Sequence, residues 1–176
     1  MTPPQLLLGP LLRHVGERDA TVWVETDRPC EVEVLGCTAP TFTASGHHFA
    51  LVIIDGLEPG STNPYAVALD GHAVWPEAGG APESTIRTQG GDDALRIAFG
   101  SCRVAAPHAA PWSLTKDEHE EGREIDALLA LGVQMRASDP AEWPDLLVLL
   151  GDQVYADQVS PATRRYIESR GLVTTR

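Results

Sequence analysis

The amino-acid sequence predicts a small antiparallel β-sandwich over residues 1–91, followed by the opening β-α-β unit of an α/β domain over residues 92–176. Short segments of alternating apolar and polar residues, separated by Gly and Pro turns, recur through the first part, as in all-β sandwiches. The second part instead sets two apolar runs on either side of a helical pattern, the signature of a parallel crossover. Between them lies Gln89-Gly90-Gly91-Asp92-Asp93, polar and without an apolar side chain, where a domain boundary falls naturally.

Within the first part, Thr21-Val22-Trp23-Val24-Glu25-Thr26 and Glu31-Val32-Glu33-Val34-Leu35 alternate in strand fashion, with Asp27-Arg28-Pro29 as the turn between them. A third strand is His48–Ile54. A fourth is Tyr65–Leu69, closed by Asp70-Gly71, and a fifth is Ser84–Thr88, preceded by a Gly79-Gly80-Ala81-Pro82 loop. His47 and His48 are adjacent in a strand-like stretch, so their side chains should point to opposite faces and not share one ligand. Cys30 and Cys37 flank the second strand and read as buried thiols, with a bridge across that hairpin as the alternative, and Trp23 and Trp75 read as packing residues.

In the second part, Leu95–Phe99 is a strand and Glu124–Arg136 a helix with Ile125, Leu128, Leu129 and Val133 near one face. Leu146–Leu150, five apolar residues bounded by Pro144-Asp145 and Gly151, reads as a strand covered on both faces. The acidic stretch Asp117–Glu121 reads as a solvated helix start.

The chain has 13 Lys and Arg against 25 Asp and Glu, a net charge of −12 that repels nucleic-acid phosphates and excludes a general DNA- or RNA-binding role. Leu6-Leu7-Leu8 and Leu11-Leu12 are split by Gly9-Pro10 and preceded by no basic run, so they lack the form of a secretory signal. A membrane span would need about 18 consecutive apolar residues, and none is present. Three cysteines, an odd number, do not suggest a disulfide framework. A cytoplasmic setting is expected, or an extracytoplasmic one if the N-terminus is incomplete.

The chemistry concentrates where the two parallel strands end. Parallel strands carry their ligands at the carboxyl edge. There the first strand runs into Gly100-Ser101-Cys102-Arg103 and the second into Gly151-Asp152-Gln153-Val154-Tyr155-Ala156-Asp157. Gly151 is expected to let the backbone turn. Cys102 as thiolate, Asp152 as bridging carboxylate and Tyr155 as phenolate form a mixed soft and hard donor set, with Asp157 as a further oxygen. Thiolate and phenolate suit iron(III), and carboxylates suit calcium, magnesium or manganese. Arg103 is positioned in sequence to contact a phosphate.

Two resemblances join these residues. Gly56-Leu57-Glu58-Pro59-Gly60-Ser61-Thr62-Asn63-Pro64-Tyr65 resembles the Leu-x-Pro-Gly-Thr-x-Tyr stretch of fibronectin type III domains, with Tyr65 as the corner tyrosine. Phe99-Gly100-Ser101-Cys102-Arg103 followed by Leu149-Leu150-Gly151-Asp152-Gln153-Val154-Tyr155-Ala156-Asp157 resembles the PhoD-like alkaline phosphatase/phosphodiesterase family, within the calcineurin-like metallophosphoesterases. Together they imply an all-β fibronectin type III-like sandwich followed by an incomplete α/β metallophosphoesterase domain. They imply an iron-and-calcium site with Cys102, Asp152 and Tyr155 at ligand positions, and hydrolysis of phosphomonoesters or phosphodiesters.

The family completes its site with an Asn-His pair and later His and Asp ligands. Here the six histidines, His14, His47, His48, His72, His108 and His119, all precede Asp152, and no Asn follows Asn63. A truncated member without catalysis of its own is therefore expected, with the apolar faces of its α/β strands uncovered. Its expected partners are a phosphate-ester substrate if the site is completed, and otherwise a complementing chain or a second copy. The alternative function is a non-catalytic binding module built on the sandwich.

Overall fold

A computed structural model of the chain describes residues 2–77, 83–90, 94–103, 106–153, 155 and 161–169. The 79–82 loop, residues 91–93 of the junction and Asp157 lie outside the described residues. Two compact units divide the chain, Met1–Ala94 and Leu95–Arg176.

The first unit contains β1 (Leu6–Val15), β2 (Asp19–Thr26), β3 (Glu31–Val34), β4 (Cys37–Pro40), β5 (Phe42–Ala44), β6 (His47–Asp55), β7 (Thr62–Pro64), β8 (Val67–Leu69), β9 (His72–Trp75) and β10 (Thr85–Arg87). They form a four-stranded sheet ordered β1-β2-β6-β5, a second ordered β4-β3-β8-β9, and a small β10-β7 pair. All described pairings in this unit are antiparallel. Alternation dictates the core. Ala20, Val22 and Val24 of β2, with Ala50, Val52 and Ile54 of β6, face Val32 and Val34 of β3 and Val67 and Leu69 of β8. Their compact or β-branched side chains suit a thin two-layer interior. The architecture is a β-sandwich.

The strand at Leu6–Val15 was not anticipated by sequence, because Gly9-Pro10 interrupts its apolar residues. Gly9 sits at φ +95°, and a Cβ there would lie 2.8 Å from the Trp23 carbonyl. Irregular register on either side of this dipeptide lets β1 keep pairing with β2 despite the proline. The expected strand Tyr65–Leu69 begins only at Val67. Tyr65 is buried, its amide donates to the Ser84 carbonyl at 2.9 Å, and burial raises its phenol pKa. Cys30 and Cys37 are half-buried, unbridged thiols packed against the core.

The second unit contains β11 (Ile97–Gly100), α1 (Ala127–Ala137), a single 3-10 turn at Pro140–Glu142, β12 (Leu146–Leu149) and α2 (Pro161–Ser169). The strands pair in parallel, Ile97 with Leu146 through Gly100 with Leu149. Asp126 caps α1 by accepting from the Leu128 and Leu129 amides. The helix was expected from Glu124, but that residue sits at φ +65° and cannot belong to a right-handed helix. The charged segment Asp117–Glu121 forms turns, not a helix start. Coverage of β12 on both faces is not observed: Leu146, Leu147 and Leu149 are 46%, 43% and 47% exposed, and Phe99 of β11 is 75% exposed. A two-stranded pair has too few neighbouring layers to bury both faces.

Candidate functional site: the carboxyl edge of the parallel strands

The in-register parallel pairing brings the segments after β11 and β12 side by side. Two backbone hydrogen bonds carry the contact past the strands, Leu150 N–H to the Gly100 carbonyl at 2.8 Å and Arg103 N–H to the Asp152 carbonyl at 2.9 Å. Cys102 and Asp152, remote in sequence, become neighbours by this register alone.

Cys102 is exposed, and its sulfur is the focus of the cluster. The Tyr155 hydroxyl, the Asp152 backbone amide and the Ser101 hydroxyl all donate to it, the last at 3.9 Å. These donors, Tyr155 foremost, hold the thiol pKa below its ordinary value, against desolvation of the sulfur and the charge of the Asp152 carboxylate. Hydrogen bonding to the charged form outweighs one nearby like charge. Of the expected site, Cys102, Asp152 and Tyr155 are therefore brought together.

Gly151 has a different role from the one expected. Its φ is not in the left-handed region, so no special turn requires glycine there. A Cβ at this position would instead stand 2.6 Å from Cys102 Sγ and 2.9 Å from the Cys102 amide nitrogen. Glycine permits the two segments to touch. Gln153 reinforces the contact by donating through Nε2 to the Ser101 carbonyl at 3.1 Å and to the Gly151 carbonyl at 2.9 Å.

Arg103 was expected to contact phosphate. Its Nε donates to both oxygens of Asp126, at 2.8 and 3.0 Å, and its Nη2 to Oδ2 at 2.7 Å; Nη1 is not part of that pair. The Asp126 side chain is only 5% exposed. The guanidinium holds the Asp126 carboxyl below the usual carboxylate range, and the carboxylate raises the Arg103 pKa in return. Asp126 thus ties the segment after β11 to the first turn of α1. Sequence reasoning overlooked it, although an Asp directly before an apolar periodic run is a recognisable cap signal. Gln153 and Ser101 carried no comparable signal.

An open cleft of about 340 Å³ lies between the strand pair and α1, lined by Ile97, Phe99, Leu147 and Leu149 of the strands and Leu128 and Leu131 of the helix. Cys102, Arg103 and Gln153 also line it. Among the described residues, no three His, Cys, Asp or Glu side chains gather as a metal-binding group. No helix among them is long and apolar enough to cross a membrane.

Residues 3–86 match the family model of a domain of unknown function, DUF7800, which lies on the β-sandwich and ends before Cys102. No curated protein and no solved structure matches the chain.

Proposed function

We propose that the second unit carries part of a metal-dependent phosphoesterase centre of the PhoD-like type, set behind a fibronectin type III-like sandwich. The observation that supports this reading most directly is the junction at Gly151. There, two strand ends distant in sequence bring a thiol, a carboxylate-bearing residue and a phenol to one point. A solvated turn would not need glycine for contact with a cysteine.

The donor set suits the group the resemblance implies. The Tyr155 hydroxyl already lies within hydrogen-bond reach of the Cys102 sulfur, so the two atoms can serve one cation once the shared proton leaves. Cys102, Asp152 and Tyr155 would hold the metal, iron(III) or a harder divalent cation such as calcium. A bound cation supplies Lewis-acid polarisation of a phosphoryl oxygen and lowers the pKa of bound water. Arg103, fixed by Asp126, positions the Cys102 segment, and contact with a phosphate would require it to share its guanidinium. The histidines of this chain all precede Asp152, so the chain alone should hold metal weakly and turn over no substrate.

Titration of iron(III) into the full chain tests the site without recourse to activity. Thiolate and phenolate ligation should give a visible charge-transfer absorption. That band should vanish in Asp152→Ala and change character in Tyr155→Phe. Equal metal content and the same spectrum in wild type and Asp152→Ala would remove the assignment. The second reading, a non-catalytic binding module, is favoured by a separate observation, the apolar outer surface of one sheet of the sandwich. It would lead if the folded chain bound neither metal nor phosphate ester.

A further inference from the structure

A guanidinium offers its N–H donors as two planar forks, a side fork of Nε and Nη2 and an end fork of Nη2 and Nη1. Asp126 occupies the side fork of Arg103, accepting from Nε at 2.8 and 3.0 Å and from Nη2 at 2.7 Å. Among the described residues, these are the only hydrogen bonds that the guanidinium makes, so the end fork is uncommitted. The Arg103 side chain is 27% exposed and forms part of the wall of the open cleft, with Ser101, Cys102 and Gln153.

We propose that Asp126 is a positioning residue for an oxyanion subsite: by holding the side fork, it presents the end fork of Arg103 to a phosphate group in the cleft. The identity of the anion rests on the phosphoesterase reading above; the geometry of the fork does not. Two parallel N–H bonds from a planar fork match two oxygens of a phosphate, which the point charge of a lysine cannot do. An untethered arginine surrenders side-chain freedom when it binds an anion. Here the ion pair with Asp126 has already fixed it.

Charge favours this occupant. The chain carries −12, yet no Asp or Glu is among the described residues that line the cleft, and Arg103 is the one permanently charged side chain there. A lone positive charge in a concave, largely apolar wall attracts anions that the rest of the surface repels. Asp126 itself does not line the cleft. Its side chain is 5% exposed, and Oδ1 also accepts from the Leu128 and Leu129 amides at 3.0 and 3.4 Å. Its negative charge is thus shared among the guanidinium and two amides.

NMR titration of inorganic phosphate into the full chain, freed of metal on a chelating resin and held at constant ionic strength, tests this. The backbone amides of residues 101–103 report binding, with a wild-type Kd on the order of 1–10 mM. Arg103→Lys keeps the charge but loses the fork, and should bind about tenfold more weakly. Asp126→Asn separates positioning from charge. Removing an acid would by charge alone tighten phosphate binding, whereas loss of the grip on Arg103 should weaken it about fivefold. If that variant does not fold by circular dichroism, Asp126→Ser, which retains a capping side chain, takes its place. Arg136→Gln, in the last turn of α1, removes a positive charge and should leave binding unchanged. Wild-type amides that do not shift up to about 50 mM phosphate overturn the proposal. So does binding that is unchanged in Arg103→Lys, unchanged or tighter in the Asp126 variant, or lost in Arg136→Gln. The iron(III) band keeps the two readings apart. Phosphate binding that depends on Arg103 and Asp126, without an Asp152-dependent band, retains the subsite and removes the metal assignment. An Asp152-dependent band with phosphate binding indifferent to Arg103 retains the metal assignment and overturns the subsite.

Discussion

Replacing Gly151 by alanine should disorganise the candidate site through a single methyl group. Its carbon would stand 2.6 Å from Cys102 Sγ, 2.9 Å from the Cys102 amide nitrogen and 3.2 Å from Ser101 Oγ. Ordinary contacts at a carbon lie at about 3.5–4.0 Å, so one of the two segments must retreat by roughly 1 Å. The Ser101 hydroxyl can rotate away, but the Cys102 backbone cannot. The hydrogen bond from Arg103 N–H to the Asp152 carbonyl, 2.9 Å long, then opens beyond useful range. Overpacking of this kind costs about 1–3 kcal/mol. The same retreat withdraws the Asp152 amide and Tyr155 hydroxyl from the sulfur, so the Cys102 thiol should titrate at higher pH than in wild type. Two measurements follow the change: the pH dependence of Cys102 alkylation, read by peptide mapping, and amide exchange at Arg103. Gly100→Ala is the control, because a Cβ there meets nothing within 4 Å. It should alter neither readout. Unchanged alkylation and exchange in Gly151→Ala would refute the close-contact argument.

Two further predictions probe the framework. Ile54 is 1% exposed and its neighbour Ile53 is 58% exposed. Ile54→Ala should therefore cost about 2–5 kcal/mol in urea unfolding, and Ile53→Ala, in dilute solution, no more than about 0.5 kcal/mol. Asp126→Asn keeps the helix cap but removes the charge that Arg103 grips, at an expected cost of about 1.5–3 kcal/mol. Because the folded Asp126 carboxyl titrates below its unfolded value, that contribution is complete above about pH 4 and is lost as pH falls through the folded value. The stability difference between wild type and Asp126→Asn should thus shrink in acid; a difference that stays constant down to pH 2 would exclude the pair as its source.

Much of the sandwich was legible in sequence because alternation encodes it directly. Val22 and Val24, Val32 and Val34, and Val52 and Ile54 recur every second residue, and all are buried. β1 was not legible, since its bulged pairing breaks the period on which such reading rests. The start of α1 was misjudged for a related reason: the apolar pattern extends back to Ile125, but the backbone at Glu124 does not permit a helix there.

The sequence by itself pointed to a β-rich first unit and a mixed second one and put forward Cys102, Asp152 and Tyr155 as candidates, because residue type and local period carry that information. It also held the apolar residues of the β1-β2-β6-β5 sheet, yet could not say that Leu11, Trp23 and Leu51 would lie in one row. Only the tertiary structure decided that Gly151 serves contact and not a turn, and that Arg103 is gripped by Asp126. It likewise decided that Glu25 meets His47 across two strands. Each of these depends on strand register or on a side chain reaching across the chain. Distances between residues remote in sequence are set by packing as a whole, and no local pattern records them.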